Sequence, residues 1–318
     1  MEIKKLSTDD DYARWDSFVS SSSNGTIFHK SFWLTAWGGD FDIWGTFKGN
    51  NLVGGFVAPC RKYLGMDLVA PPPLTPYSGI VFPSSKGKYT AKLSNEKELA
   101  AECAAFLKKR YKWGIISLDP TTIDMQPFIW DGFEASPHYT YILDAADIDQ
   151  VWKNMVAERR NDIRKAENDG LSVIVAPSFE PVIDLVEKTF QRQDMSPRWK
   201  DTARRYYDAL DLRGLCKGFL CVDAQGNNIA TCFIIWDEKR AYYLLGGYDA
   251  ENKHHGGSAL CLWEAIRFTS LELGLKEFDF EGSMVPQIER SFRKFGGQLT
   301  PYYQIRWGWG IDAAIKFR

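Results

Sequence analysis

The chain has little of what metal centres, covalent nucleophile sites and membrane spans are built from. Its four histidines include one adjacent pair, His254-His255, but no metal-ligand spacing. The six cysteines (Cys60, Cys103, Cys216, Cys221, Cys232 and Cys261) lie far apart with no CxxC pair, a usage that fits free buried thiols in a reducing compartment. No run approaches the ~18 apolar residues of a spanning helix. The stretch MEIKKLSTDDDYARW lacks the apolar core of a secretory signal. These absences predict a cytoplasmic protein with at most peripheral membrane contact. A net charge of −2 supplies no long-range field toward DNA or an anionic membrane. No Ser-His-Asp or Cys-His arrangement stands out, and no metal is expected.

What is present describes a sizeable folded protein. At 318 residues, with 45% hydrophobic and 25% charged content, the chain is neither disordered nor membrane-embedded and has room for two domains. Aromatics are abundant, with 12 Trp, 14 Tyr and 20 Phe. Most should fill the core, and a minority would suit a groove for sugars, acyl chains or bases.

The segment Ala241 to Gly297 carries the strongest chemical signal. An apolar strand (Ala241 to Gly246) feeds a polar, glycine-containing turn (Glu251 to Gly257). An amphipathic helix then opens at Ser258, and a second strand (Glu277 to Phe280) ends in Glu281-Gly282-Ser283. A glycine turn at a helix N-terminus aims backbone N–H groups and the positive dipole end at one spot, which suits a phosphate. The same two glycines could simply shape the helix start.

The order of elements repeats. Ile43 to Phe47 and Leu52 to Val57 flank Lys48-Gly49-Asn50-Asn51; Gly218 to Val222 and Ile229 to Trp236 flank Gly226-Asn227-Asn228. Each reads as a β-hairpin. Downstream, each half places a helix before a short strand: Asn95 to Lys109 then Ile115 to Leu118, and Ser258 to Leu273 then Glu277 to Phe280. Both strands end at an acidic residue, Asp119 and Glu281. Two similar α/β domains are therefore expected, 1–137 and 138–318, with the boundary near Ser136-Pro137 and the donor site in the second. The segment Ala70 to Gly79 holds four prolines and must be a stiff loop.

Basic residues cluster twice. One long helix is expected over Asp147 to Asp169, with Arg159, Arg160, Arg164 and Lys165 among its polar positions. Arg192, Arg198, Lys200, Arg204 and Arg205 interleave with Trp199, Tyr206 and Tyr207. Such runs are either solvated faces or phosphate contacts.

The run Arg160-Asn161-Asp162-Ile163-Arg164-Lys165-Ala166, followed by Gly170, resembles a pattern of Fem-type peptidyltransferases. Phe28-His29-Lys30-Ser31-Phe32-Trp33, the proline loop ending at Tyr77, Thr189-Phe190-Gln191-Arg192 and Trp263-Glu264-Ala265-Ile266 extend the resemblance. So do Phe278-Asp279-Phe280-Glu281-Gly282 and Phe292-Arg293-Lys294-Phe295-Gly296-Gly297. Together they cover nearly the whole chain. Trp37 departs from the family pattern, standing where a lysine is usual. GNAT-type acyltransferases of polysaccharide biosynthesis are similar as well.

The resemblance implies an α/β (α+β) fold of tandem duplicated GNAT-like domains, with mixed sheets flanked by helices. It also implies transfer of an acyl or aminoacyl group onto an amine, in cell-wall or cell-surface polysaccharide biosynthesis. The acceptor would be a small molecule, glycan or peptide carrying the amine. The donor would be acyl-CoA or aminoacyl-tRNA, used as co-substrate rather than held tightly, which makes tRNA an alternative partner. Direct transfer needs a neutral amine, a polarised carbonyl and a proton acceptor. Asp279 or Glu281 could take the proton, and Arg293 could steady the oxyanion. His255, Gly256, Gly257, Ser258 and Lys294 would hold the donor. Tyr77, Arg160, Asn161, Arg164, Lys165, Arg192 and Tyr206 would line an acceptor groove between the domains. From a different class comes a non-catalytic glycan- or nucleotide-binding module that keeps the fold.

Overall fold

Tight turns start the fold in both halves. In a computed structural model, which describes residues 1–63, 65–84, 87–192, 198–252, 254–282 and 284–308, Gly49 and Gly226 take left-handed φ values of 61° and 83°. Each closes the hairpin expected there. Chain contacts divide the protein into unit 1 (Met1–His138 and Pro301–Arg318) and unit 2 (Tyr139–Thr300).

Unit 1 runs β1 (Glu2–Leu6), α1 (Asp9–Ser21), a 3-10 turn (Ile27–His29), α2 (Ser31–Trp37), β2 (Asp40–Lys48) and β3 (Asn51–Tyr63). It continues through β4 (Met66–Val69), β5 (Ile80–Val81), α3 (Tyr89–Arg110), β6 (Trp113–Ser117) and α4 (Gln126–Trp130). Helix α1 begins where Thr8 and Asp11 exchange side-chain-to-backbone hydrogen bonds, a capping box that contributes about 1 kcal/mol. The strands pair antiparallel except β4 and β6, which run parallel at Leu68↔Trp113 and Val69↔Gly114.

Unit 2 begins within β7 (Glu134–Asp144). It continues with α5 (Ile148–Asn154), α6 (Ala157–Asn168), β8 (Ser172–Val175), α7 (Glu180–Gln191), α8 (Lys200–Asp211), β9 (Cys216–Val222) and β10 (Asn228–Trp236). Then come β11 (Arg240–Tyr248), α9 (Gly257–Leu271), β12 (Glu277–Asp279), α10 (Pro286–Arg293) and β13 (Gln298–Trp307). Here β11 and β12 run parallel, while β8 with β9, β9 with β10, β10 with β11 and β7 with β12 pair antiparallel. Both units are thus mixed α/β layers in which a helix connects the parallel strands.

Strand supply differs from the sequence expectation. In unit 1, β6 pairs with the last described strand, at Gln304↔Ser117 through Trp307↔Gly114. Residues from Pro301 onward, counted above with the second half, belong to unit 1 because Trp307 is buried there and donates its indole N–H to the Tyr111 carbonyl at 2.9 Å. In unit 2, β12 pairs with β7, which leaves the first half directly.

The single helix expected over Asp147 to Asp169 is two. Met155 and Val156 are extended, and the Val156 N–H donates to the Lys294 carbonyl at 3.1 Å. The Arg160 guanidinium closes the end of α5 by donating to the carbonyls of Trp152, Lys153 and Met155 at 3.3, 2.8 and 2.6 Å. An arginine that reaches back to three orphan carbonyls makes the break stable.

Candidate active site

The site grows out of the way β11 and β12 separate. Their parallel register runs Arg240↔Glu277, Ala241↔Phe278 and Tyr242↔Asp279 and ends there, although β11 continues to Tyr248. Beyond Asp279 the chain turns toward β7, and the Phe280 N–H donates to the Tyr141 carbonyl at 3.0 Å. A bulge in the β10–β11 register, between Phe233 and Ile234, lies beside the point of separation. Among the described residues, 243–247 have no strand partner on the β12 side, while the Tyr248 N–H and carbonyl are taken by the Thr189 hydroxyl at 2.9 and 3.3 Å; an extended ligand can satisfy the donors and acceptors of this opening.

Glu281 stands at this opening. Alternation along β12 puts Phe278 and Phe280 in the apolar core with Phe292 and Phe295, and sends Asp279 to the other face. Glu281 then adopts φ 58° and Gly282 φ 77°, two left-handed residues in succession. Gly282 has no substitute, because a Cβ there would fall 2.3 Å from the Tyr139 carbonyl oxygen. A glutamate held left-handed stores strain of the kind found at functional sites. Its Oε1 is shielded from solvent and has no hydrogen-bond partner among the described residues. Burial, and secondarily the neighbouring Asp279 charge, push its carboxyl well above the ordinary carboxylate range.

Asp279 is differently placed. It is fully buried, and its Oδ1 accepts from the Thr140 hydroxyl at 2.6 Å and from the Glu281 N–H at 2.8 Å. Its Oδ2 lies 3.5 Å from the Arg240 guanidinium, whose Nε is 3.0 Å from Glu277. Expected beside Glu281 as a second candidate base, it is instead engaged on both oxygens. Arg293 is mostly exposed, 3.5 Å from Glu289, which accepts a 2.6 Å hydrogen bond from Tyr141. Burial first, and then Glu289, raise the Tyr141 hydroxyl.

The glycine turn at the start of α9 is occupied by its own neighbours. The Gly256 N–H donates to His254 Nδ1 at 3.1 Å and the Gly257 N–H to the His254 carbonyl at 3.2 Å. A Cβ on Gly256 would meet the Asp162 carbonyl oxygen at 2.0 Å, so this glycine lets α6 approach α9. His255 lies 3.1 Å from Asp162 and His254 3.0 Å from Asp169. Lys294 pairs with Glu158 at 2.7 Å, and the charges of Lys294, Arg159 and His255 all act on that carboxylate, with Lys294 the largest influence. His255, Gly256, Gly257 and Lys294 are thereby brought together, and Ser258 is exposed at the helix start. Carboxylates share the spot. Lys253 and Ser283, within the expected donor turn and strand end, lie outside the described residues.

The residues expected to bind acceptor fall into separate structural tasks. Arg160 caps α5. Arg164 stacks over Trp152 at 5.3 Å, and Asn161 and Lys165 are exposed on α6. Arg192 lies 4.2 Å over the Tyr248 ring. Tyr206 is buried in α8 at 1% exposure, and Tyr77 in unit 1 at 0%, edge-on to Phe28 and Tyr302. Neither tyrosine is available to line an open groove, because each ring is needed to fill a core.

Sequence reasoning missed Thr140, Arg240 and Tyr243. Tyr243 is the first β11 residue past the paired stretch, and a Cβ on Gly246 would come within 1.6 Å of its hydroxyl. Burial pushes that hydroxyl well up. The Tyr-Leu-Leu-Gly-Gly order was the available signal, since adjacent glycines within a strand mark close approach. Among the described residues, no group of three or more His, Cys, Asp or Glu is placed to hold a metal, and no helix is long and apolar enough to cross a membrane.

Residues 153–285, which include the β11–β12 opening and Glu281, match the family model of the acetyltransferase (GNAT) domain. No curated protein matches the chain. Among solved structures the chain is similar to FemX, at 14% identity and a TM-score of 0.68 over 95% of this chain and 97% of that one. It is also similar to a tandem GNAT protein from the clavulanic acid biosynthesis pathway (13%, TM-score 0.56, covering 96% and 98%). L-PGS from Bacillus licheniformis is a third (12%, TM-score 0.57, covering 99% and 97%). Residues 153–285 thus match the GNAT acetyltransferase domain, within a chain whose fold is similar to those of FemX and a tandem GNAT protein.

Proposed function

We propose that the protein transfers an acyl or aminoacyl group to an amine, with the donor entering the β11–β12 opening of unit 2 and Glu281 taking the amine proton. The observation that carries this reading is the Glu281 carboxyl, whose Oε1 is buried just beyond β12 with no hydrogen-bond partner among the described residues. A carboxyl whose proton affinity is raised toward working pH is a stronger base than an ordinary glutamate and accepts an amine proton more readily. The neutral nitrogen attacks the donor carbonyl, the N–C bond forms, and the proton passes to Glu281. Collapse then breaks the C–S bond of a thioester, or the C–O bond of an aminoacyl ester, and the leaving group recovers a proton.

The edge of residues 243–247 that β12 leaves uncovered suits an arm that carries amides, because amides can complete a ladder the way an added strand does. That chemistry favours acyl-CoA, and the negative net charge supplies little steering for tRNA. His255 and Lys294 beside the exposed Ser258 would meet the donor's phosphates, in competition with Glu158 and Asp162. The resemblance of the sequence motifs to Fem-type peptidyltransferases favours a role at the cell wall or cell surface, with an amine on a glycan, peptide or small molecule as acceptor.

The test is thiol release from acetyl-CoA against a panel of amino sugars, amino acids and short peptides, with deacylation of aminoacyl-tRNA in parallel. The wild type should release product with at least one pair. Glu281→Gln should lose on the order of 10²–10⁴-fold in kcat. Equal rates for the two proteins would overturn the assignment of Glu281.

A further inference from the structure

We propose that Asp279 is a positioning residue, whose buried carboxylate templates the left-handed turn that seats Glu281 and is itself aimed by the Thr140 hydroxyl. The inference rests on the reading of Glu281 as proton acceptor and names the part of the site that sets its geometry. A non-glycine residue at φ 58° does not hold that conformation unaided. Here one oxygen, Asp279 Oδ1, gathers two donors: the Glu281 N–H at 2.8 Å from within the turn, and the Thr140 hydroxyl at 2.6 Å from the neighbouring strand. The first bond closes the loop from residue 279 to 281, as an Asx turn does. The second fixes the rotamer of Asp279 from outside, so the turn is keyed to the β7–β12 register at Asp279↔Ile142. On the far side, Gly282 sits against the Tyr139 carbonyl, three residues upstream of Ile142 in that register pair. β7 thus grips the turn at both ends.

The same carboxylate has an electrostatic effect. Asp279 is the charge that acts on Glu281, adding to the effect of burial. Arg240 reaches Asp279 from β11 and pairs with Glu277 of β12, and from α10 Glu289 is taken up by Tyr141 and Arg293. Asp279 therefore holds Glu281 in place and also raises its affinity for the proton it accepts.

The experiment follows Glu281 itself and needs no substrate. Full-length protein labelled at the glutamate side-chain carboxyl with 13C is titrated by NMR, and the Glu281 signal is assigned by its loss in Glu281→Gln. Asp279→Asn keeps an Oδ1 acceptor but removes the charge. It should retain slow exchange of the Glu281 amide while the carboxyl midpoint falls by about one pH unit or more. Thr140→Val keeps the charge but frees the Asp279 rotamer, and should speed exchange of the Glu281 amide at least tenfold. Asp279→Ala should lose both amide protection and the raised midpoint; if it does not fold, the first two variants decide alone. A Glu281 midpoint unchanged in Asp279→Asn, together with unchanged amide exchange in Thr140→Val, overturns the proposal. That failure is separate from failure of the parent reading, in which Glu281→Gln would retain transfer activity.

Discussion

Each unit runs one strand parallel to its crossover partner and then lets it go, but the two units treat the resulting gap in opposite ways. In unit 1, β4 stops at Val69 and the proline loop carries the chain back, so that the Ser78 N–H donates to the Ser117 carbonyl on β6 at 2.7 Å. Gly79 follows at φ 98°, with Ile116 and Leu118 directly against it, and Tyr77 is buried. The Trp33 indole N–H donates to the Thr75 hydroxyl at 3.0 Å, and Phe28 meets Tyr77. The early Phe-His-Lys-Ser-Phe-Trp motif and the proline loop thus plug this gap. In unit 2, β11 runs on past its partner and leaves an edge free. The strand-end acids diverge accordingly: Asp119 accepts from the Thr121 hydroxyl and N–H, while the Glu281 Oε1 is buried without a partner among the described residues. A shared framework becomes a closed scaffold in one copy and an open site in the other through local loop chemistry.

The largest expected effect breaks the scaffold side of this contrast. Trp307 is 3% exposed, covers Gly114 and bonds to Tyr111, all within unit 1. Trp307→Ala should cost about 3–5 kcal/mol in urea unfolding. A loss below about 1 kcal/mol would mean that the last described strand is dispensable to unit 1.

Next in size is Gly282→Ala. The added Cβ meets the Tyr139 carbonyl at 2.3 Å and φ is 77°, so a destabilisation of roughly 1–3 kcal/mol is expected by thermal melting. Gly226, also left-handed but with nothing within 4 Å, is the matched control, and Gly226→Ala should cost only about 1 kcal/mol.

Glu281→Gln should go the other way. A carboxyl whose folded-state proton affinity is raised loses stability as pH climbs from its unfolded value, about 4.3, toward its folded one. Removing the charge should therefore raise stability by on the order of 1–2 kcal/mol at pH 8 and by almost nothing at pH 4. Melting both proteins across that range checks the sign. A variant equally or less stable at pH 8 would show that Glu281 is ionised at little cost.

The smallest effect separates two arginines of one cluster. Arg164→Ala removes only an exposed stack on Trp152 and should cost about 0.5–1 kcal/mol. Arg160→Ala uncaps three carbonyls and should cost more, about 1–2 kcal/mol. Reversal of that order would return the cluster to ligand binding.

Hairpins, helices and the short strands before Asp119 and Glu281 were legible because glycine turns and hydrophobic period are local signals. The break between α5 and α6 was not, since Val156 bonds to Lys294, far along the chain. Glu281 was visible as an acid ending a strand, but its isolation was not, because that follows from Thr140 and Arg240 consuming Asp279. The histidine-glycine turn was legible too, but not that Asp162 and Asp169 come to face its histidines, because both lie far back along the chain.

The most direct test of the open-and-plugged contrast is amide hydrogen exchange of the wild type with and without saturating acetyl-CoA, and separately with aminoacyl-tRNA. One of the two donors should slow exchange along Tyr243–Tyr248 and at the Glu281 turn, while Ala70–Gly79 and β6 remain unchanged. Protection centred on Ala70–Gly79, or none along Tyr243–Tyr248 with either donor, would contradict the account.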